Sequence, residues 1–240
     1  MANFKVELTK KEEAAEGTMA FYFTKPRGFD FQAGQFIDVT LIDPPETDSE
    51  GNTRAFTLAS SPHEDYLMVA TRLRNTAFKR VLHDAPVGSA LTVEGPMGSF
   101  TLHRNTAKPA VFLAGGIGVT PFLSIIRQAA WEQAQRTIHL FYSNRRPEDS
   151  AFLEQLVGLA QEGTGIHLVA TMTEMEKSRR TWAGEKGFIN KTMLLRNIQS
   201  LAGPIYYIAG PPGMVASMRH MLADAGVDED DVRTEEFSGY

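Results

Sequence analysis

The stretch LAGGIGVTPF, Leu113–Phe122, places three glycines within four positions and follows them with Thr-Pro and an apolar run. Glycine inside a regular element costs roughly 0.5–1 kcal/mol relative to alanine, because it loses more backbone freedom on folding. Gly115, Gly116 and Gly118 therefore indicate a place where bare backbone is required. The apolar residues before them predict a buried strand, and those after them predict a helix.

The residues after the glycines carry the signals of a helix start. Thr120 is a suitable N-cap, and Pro121 suits the first helical position, where its missing N–H is not needed. A helix N-terminus presents free N–H groups and partial positive charge, which favour phosphate. This stretch alone leaves two interpretations open, a nucleotide phosphate site and a tight strand-to-helix turn without a ligand.

A second turn of the same kind, AGPPGM at 209–214, joins another predicted strand to another predicted helix. Parallel sheets bind ligands outside the carboxyl ends of their strands. Two such turns would frame one crevice at that edge, so the pair favours a dinucleotide site.

The chain changes its pattern near Pro109. The residues before it form short strand-like runs separated by turns, with one helix predicted over Thr76–Ala85, which is typical of an antiparallel barrel or sandwich. The residues after it alternate between strands and helices, which predicts a parallel sheet with helices on both faces. We therefore predict two domains, an antiparallel β-barrel at residues 1–105 and an α/β domain at 106–240.

The composition excludes several classes of protein. The 240 residues carry a net charge of −5 without a basic stripe, which argues against a nucleic-acid surface. They contain no cysteine, which rules out disulfides and thiolate-bound zinc or iron–sulfur clusters among them, and the histidine spacing predicts no metal site. No apolar run approaches the ~20 residues of a membrane span. We expect a soluble, cytoplasmic protein.

Four motifs stand in the order found in the ferredoxin–NADP reductase superfamily: RAFTLAS, GPMGSF, GGIGVTP and AGPPGM, followed by the C-terminal EEFSGY. The chain resembles this family along essentially its whole length, without an attached iron–sulfur domain. The resemblance implies an FAD-binding barrel, then an NAD(P)-binding domain whose C-terminal tail returns to the flavin.

The first motif supplies the central flavin residues by resemblance. In the family its arginine binds the flavin diphosphate, its aromatic residue packs on the ring, and its hydroxyl residue hydrogen-bonds flavin N5; Arg54, Phe56 and Thr57 match these positions. The set predicted to bind FAD is Arg54, Ala55, Phe56, Thr57, Thr71, Arg72, Leu73, Thr76, Lys79, Phe237 and Tyr240.

The C-terminus is expected to take part in catalysis. The resemblance implies catalytic roles for Thr57, Glu235 and Phe237, with Phe237 covering the flavin face where nicotinamide must stack. Tyr240 is the second candidate for that cover.

Two positions depart from the family. The usual Gly-x-x-Ser loop that holds the flavin diphosphate is replaced by TAFKRVL, where Thr76 and Lys79 stand near the glycine and serine positions. This leaves the phosphate contacts, and FAD rather than FMN, open. Ala209 replaces a cysteine that many members carry beside the nicotinamide, so hydride transfer is expected not to need a thiol.

The nicotinamide nucleotide is predicted to lie across the two glycine-rich turns and the end of the next strand. The residues predicted to bind it are Gly115, Gly116, Gly118, Val119, Thr120, Pro121, Ser143, Arg145, Arg146, Gly210, Pro211, Pro212 and Met214. Arg145 and Arg146 favour NADPH, because arginine near this strand end accommodates a 2′-phosphate. NADH-using members of the family also carry an arginine here, so NADH stays open.

The resemblance implies that hydride passes from NAD(P)H to FAD and that electrons then leave singly to a ferredoxin, flavodoxin or oxygenase-type acceptor. The acceptor is expected to be a separate protein. One alternative is a flavin reductase or diaphorase that uses small-molecule acceptors. The other is a nucleotide-binding redox-sensing subunit without turnover.

Overall fold

The computed structural model describes residues 2–163 and 165–237. Six strands and one helix form its first part: β1 (Ala2–Ala15), β2 (Thr18–Thr24), β3 (Phe36–Leu41), β4 (Thr53–Thr57), β5 (Tyr66–Arg72), α1 (Ala77–Asp84) and β6 (Ala90–Met97). The strands are antiparallel, in the order β4-β3-β6-β1-β2-β5. Just beyond β4, the Ala59 N–H donates to Met68 O of β5 at 2.7 Å, so the two edges approach each other in a barrel-like but incompletely closed sheet.

The second part is a six-stranded parallel sheet with helices. Its elements are β7 (Ala110–Gly115), α2 (Thr120–Trp131), β8 (Ile138–Asn144), α3 (Leu153–Gln161), β9 (Ile166–Met172), β10 (Glu185–Lys186), α4 (Lys191–Asn197), β11 (Ile205–Gly210), α5 (Pro212–Asp224) and β12 (Val232–Glu236). The strand order is β10-β9-β8-β7-β11-β12, with every pairing parallel. The predicted fold class is confirmed; the two edge strands β10 and β12 are additions that the sequence analysis did not predict.

Strand β7 shows why helices lie on both faces of this sheet. All of its residues are buried. Val111 and Leu113 belong to the core cluster formed with α4 and α5. Phe112 points the other way and stacks on Phe122 of α2, with 4.6 Å between ring centroids. Burying one such side chain stabilises the fold by roughly 1.5–3 kcal/mol, so a strand with two apolar faces requires a helix on each.

Helix α2 joins the second sheet to the barrel. Ser124 Oγ donates to Ser60 O at 2.6 Å, and Arg127 forms an ion pair with Glu64 at 3.3 Å. Both partners lie in the segment that connects β4 to β5. The start of α2, and with it the glycine-rich turn, is therefore held beside the edge of the barrel.

The described residues contain neither a helix able to span a membrane nor a cluster able to hold a metal ion. None of the helices there combines the length and the apolar composition needed to cross a bilayer. No group of three or more histidine, aspartate or glutamate side chains in those ranges is arranged to hold a metal ion.

Candidate functional site

The two glycine-rich turns touch each other, and this contact accounts for two of the glycines. A Cβ at Gly118 would lie 2.5 Å from the carbonyl carbon of Ala209 and 2.7 Å from the nitrogen of Gly210. A Cβ at Gly115 would lie 3.1 Å from Pro211 Cδ and would displace the flexible side chain of Met214 in the first turn of α5. Bare backbone is thus needed here for the close packing of the turns themselves.

The helix after the glycines begins differently from the prediction. Gly116–Val119 form one turn of 3₁₀ helix, with Gly116 at φ +51°, that runs directly into α2. The prediction of Thr120 as N-cap is wrong, since Thr120 is already helical and its Oγ1 donates to Ile117 O at 3.0 Å. Val119 precedes it with a helical backbone, φ −70° and ψ −19°, and the extended residue before the whole helical run is Gly115, which has no side chain to act as a cap.

A cavity of about 560 Å³, here called the barrel cavity, lies between β4, β5, α1 and the turn before α2. Nine residues predicted to bind FAD line it: Arg54, Ala55, Phe56, Thr57, Thr71, Arg72, Thr76, Lys79 and Phe237. The remaining lining residues are Glu50, Ala70, Arg74, Ile117 and Thr120. The sequence analysis missed the first four of these and assigned Thr120 to the nucleotide.

Two residues predicted to bind FAD are not in this lining. The Leu73 N–H donates to Gly17 O at 2.8 Å, and the Leu73 side chain packs against the core of the barrel. Tyr240 lies outside the described residues.

Cationic side chains crowd the barrel cavity. Arg54, Arg74 and Lys79 all line it. Burial, followed by the charges of Arg74 and Arg54, lowers the pKa of Lys79. A cation that burial and neighbouring cations destabilise is stabilised by an anion placed beside it. The cavity therefore fits the diphosphate of a flavin dinucleotide.

A second cavity of about 710 Å³, here called the nucleotide cavity, lies at the carboxyl ends of β7, β8 and β9. Six residues predicted to bind NAD(P) line it: Gly115, Gly116, Ser143, Arg145, Pro211 and Met214. Gly118, Val119, Thr120, Pro121, Arg146, Gly210 and Pro212 do not belong to this lining. Arg72 lines both cavities, so the two are adjacent.

The nucleotide cavity also contains residues that the sequence analysis missed. They are Asn144, Asp149, Thr173, Glu174, Phe188, Ile189, Gly213, Ser217 and Met218, together with Arg72, which was predicted to bind FAD instead. Thr173 and Glu174 directly follow β9, so the rule that ligands bind at strand carboxyl ends could have found them. Phe188 is 77% exposed despite its large apolar ring.

The two arginines after β8 differ in their surroundings. Arg146 donates to both carboxylate oxygens of Asp149, at 2.8 and 2.9 Å, and these hydrogen bonds raise its pKa. Asp149 is buried, so its ion pair with Arg146 serves to hold the fold in place. Arg145 is 66% exposed and lies 3.6 Å from Glu174 at the edge of the nucleotide cavity. Of the two, Arg145 is the side chain that faces the cavity.

The C-terminal strand places Glu235 and Phe237, both predicted to be catalytic, beside the second glycine-rich turn. β12 pairs with β11, placing Glu235 opposite Ala209, and the Phe237 N–H donates to Gly210 O at 3.0 Å. Burial raises the pKa of Glu235 to about 7, and its buried Oε2 has no hydrogen-bond partner within the described chain. Phe237 lines the barrel cavity, whereas Glu235 does not.

A larger cavity, of about 810 Å³, lies between the end of β1, the start of α3 and residues 179–182. It contains none of the residues predicted to bind flavin or nucleotide.

Comparison with known proteins supports this reading of the fold. Residues 112–220 match the family described as oxidoreductase NAD-binding domain. A glycine betaine monooxygenase reductase subunit of Chromohalobacter salexigens is 29% identical over 223 residues, which cover 92% of this chain and 60% of that protein. Ferredoxin–NADP reductase B of Sorangium cellulosum is 27% identical, with 91% and 90% covered. The chain spans 57–60% of the length of several curated relatives that it matches.

A similar fold occurs in solved structures. A ferredoxin NADP⁺ reductase of Neisseria gonorrhoeae with bound FAD and NADP has a TM-score of 0.82 at 20% identity, with 98% of each chain covered. The flavohem-like FAD/NAD binding domain of a Vibrio cholerae nitric oxide dioxygenase has a TM-score of 0.84 at 18% identity, with 97% and 98% covered. Residues 112–220 thus match an oxidoreductase NAD-binding domain, and the chain as a whole is similar in sequence to oxygenase reductase subunits and a ferredoxin–NADP reductase and shares the two-part fold of these solved structures.

Proposed function

We propose that the protein is an FAD-dependent NAD(P)H oxidoreductase that passes electrons singly to an acceptor protein. The observation that carries the proposal is the adjacency of two chemically different cavities, one cationic and built on the barrel, the other at the carboxyl edge of the parallel sheet. When bound, FAD would accept two electrons together and give them up one at a time. The protein would contribute chiefly by orienting the two cofactors.

Residues of the barrel would hold the flavin. Arg54 and Lys79 would bind its diphosphate, because a guanidinium can donate two parallel hydrogen bonds to phosphate oxygens. Phe56 would pack against the ring. Thr57 is 7% exposed on β4, and its hydroxyl would hydrogen-bond the ring edge.

The C-terminal strand would link the flavin to the nucleotide. Phe237 would cover the flavin face, and its hydrogen bond to Gly210 ties that cover to a turn beside the nucleotide cavity. Because Phe237 would cover that face, the nicotinamide would have to displace Phe237 in order to stack on the flavin ring. Glu235, with a pKa of about 7, would hold or release a proton at its carboxyl group near neutral pH.

The second cavity would bind NAD(P)H. Gly115, Gly116 and Pro211 would let the nucleotide approach the backbone closely. We propose a preference for NADPH carried by Arg145, since its exposed guanidinium faces the cavity while Arg146 is occupied by Asp149. NADH remains the alternative donor.

The acceptor is proposed to be an oxygenase component, a ferredoxin or a flavodoxin. Relatives bear the names of reductase components of glycine betaine monooxygenase and propane 2-monooxygenase, and of the electron transfer component of anthranilate 1,2-dioxygenase. These names favour an oxygenase system. A flavin reductase or diaphorase with small-molecule acceptors is the second candidate.

Flavin identity tests the first part of the proposal. The purified protein should be yellow and release FAD, rather than FMN, on heat denaturation followed by chromatography. Arg54→Ala should lower the flavin content, whereas Arg104→Ala, which removes an exposed arginine outside the cavity lining, should not. Release of FMN, or failure of the colourless protein to take up FAD, would contradict the proposal.

Reoxidation tests the second part. The reduced protein should transfer electrons to a ferredoxin, a flavodoxin or an oxygenase component faster than to free flavin. A preference for free flavin and dyes would favour the diaphorase alternative.

A further inference from the structure

The acidic loop between β3 and β4, residues 42–52, reaches over to α1 and to Arg54. Asp48 Oδ1 lies 3.1 Å from Arg54 Nη2, and Asp48 Oδ2 accepts a hydrogen bond from the Ala77 N–H at 3.0 Å. Ala77 is the first residue of α1. One carboxylate thus joins the Arg54 guanidinium, which our proposed function assigns to the flavin diphosphate, to the first N–H of α1, the helix that carries Lys79.

The Nη1 group of Arg54 is also occupied, by the loop and by the first residue of β4. Its Nη1 donates to the carbonyl oxygens of Glu50, Gly51 and Thr53 at 2.7–3.0 Å. The Glu50 carboxylate lies 2.9 Å from Arg54 Nη2. Little of the guanidinium's hydrogen-bonding capacity is left for a phosphate while the loop keeps this position.

Asp48 is held as an anion in this place. Burial acts to raise the pKa of Asp48, but the Ala77 and Glu50 N–H groups and the Arg54 guanidinium outweigh it and lower that pKa. A carboxylate and a phosphate oxygen accept the same kinds of hydrogen bond from the same donors. The two anions would therefore exclude each other from the space between Arg54 and Ala77.

The loop has a second attachment that need not break when Asp48 leaves. Glu46 accepts two hydrogen bonds from Arg80 of α1, at 2.6 and 2.8 Å, on the exposed side of the helix. Exposed pairs of this kind add little stability but can keep a segment near its partner. The loop could swing about Glu46 while Asp48 moves out.

We propose that Asp48 is a carboxylate latch: in the flavin-free protein it occupies the place of a flavin phosphate, and binding of a phosphate-bearing flavin must displace it. This inference rests on the proposed function, because it requires the diphosphate to bind at Arg54. The latch lowers the affinity for FAD without touching the flavin ring.

Flavin titrations of the flavin-free protein test the latch. We expect Asp48→Asn to bind FAD about tenfold more tightly than wild type, the size expected when one charge-assisted hydrogen bond need not be broken. Quenching of flavin fluorescence measures the dissociation constant, and riboflavin, which lacks phosphate, should bind both proteins equally. Asp43→Asn is the matched control, because it makes the same charge change in the same loop without contacting Arg54 or Ala77.

The outcomes separate the two ideas. Tighter FAD binding by Asp48→Asn, with unchanged riboflavin binding and no effect of Asp43→Asn, supports the latch. Unchanged or weaker FAD binding by Asp48→Asn, while wild type binds FAD and Arg54→Ala does not, would overturn the latch and leave the proposed function standing. Failure of wild type to bind FAD would overturn the proposed function as well.

Discussion

Replacing Gly118 with alanine tests the contact between the two glycine-rich turns. The new Cβ would lie 2.5 Å from the carbonyl carbon of Ala209, whereas ordinary contacts begin near 3.4 Å. The turn or the end of β11 must therefore move by roughly 1 Å, and overpacking of this kind costs about 1–3 kcal/mol. Because the obstacle is backbone, no side chain can rotate away to relieve it.

Urea unfolding followed by circular dichroism measures the loss of stability in Gly118→Ala. The matched control is Gly158→Ala in α3, where a Cβ meets nothing within 4 Å and alanine should stabilise the helix by up to about 1 kcal/mol. The displaced turns should also weaken binding of NADP⁺ to Gly118→Ala, measured by calorimetry. A Gly118→Ala protein as stable as wild type, with the same affinity for NADP⁺, would refute the packing argument.

Three further predictions concern the nucleotide side of the site. Because the folded protein raises the pKa of Glu235 from 4.5 to about 7, the stabilising effect of its neutral form is complete below pH 4.5 and is lost as the pH rises to 7. Glu235→Gln should therefore have the same free energy of unfolding in urea as wild type at pH 5 but a higher one at pH 8. A variant that matches wild type at both pH values would contradict this. Phe237→Ala should alter the flavin absorption spectrum and tighten binding of NADP⁺, and an unchanged spectrum and affinity would remove Phe237 from the flavin face. Arg145→Ala should raise the KM for NADPH several-fold with little change for NADH, and equal losses for both coenzymes would contradict the 2′-phosphate assignment. Arg146→Ala should mainly lower the melting temperature, since the buried Asp149 loses two hydrogen bonds from the Arg146 side chain and keeps the longer ion pair with Arg72, at 3.7 Å.

The fold class could be predicted because hydrophobic patterning is a local signal. β7 reads as one continuous apolar run, and its burial on both faces follows from that run. The edge strand β12, VRTEE, could not be predicted, because it is polar and becomes a strand only by pairing with β11. Edge strands carry a weak apolar signal, since one side of the strand lies in solvent.

The candidate site could be predicted where it depends on the residue types within one motif. It could not be predicted where it depends on how the chain folds back on itself. Arg54, Phe56 and Thr57 share one strand, so a single motif places them together in the barrel cavity. The pairing of Arg146 with Asp149 appears only after the 3₁₀ turn at 147–149 folds back. The need for bare backbone at the glycines could be predicted from the sequence. The reason for it at Gly118 could not, because the sequence does not show that Gly118 packs on the backbone of β11.

The proposed function requires that NAD(P)H bound at one cavity reduces FAD bound at the other. Anaerobic stopped-flow mixing of the FAD-loaded protein with NADPH, and separately with NADH, measures this step. We expect rapid loss of the oxidised flavin's visible absorption, faster at equal concentration with NADPH than with NADH. FAD that stays oxidised with both coenzymes, in a protein that binds each of them, would contradict it.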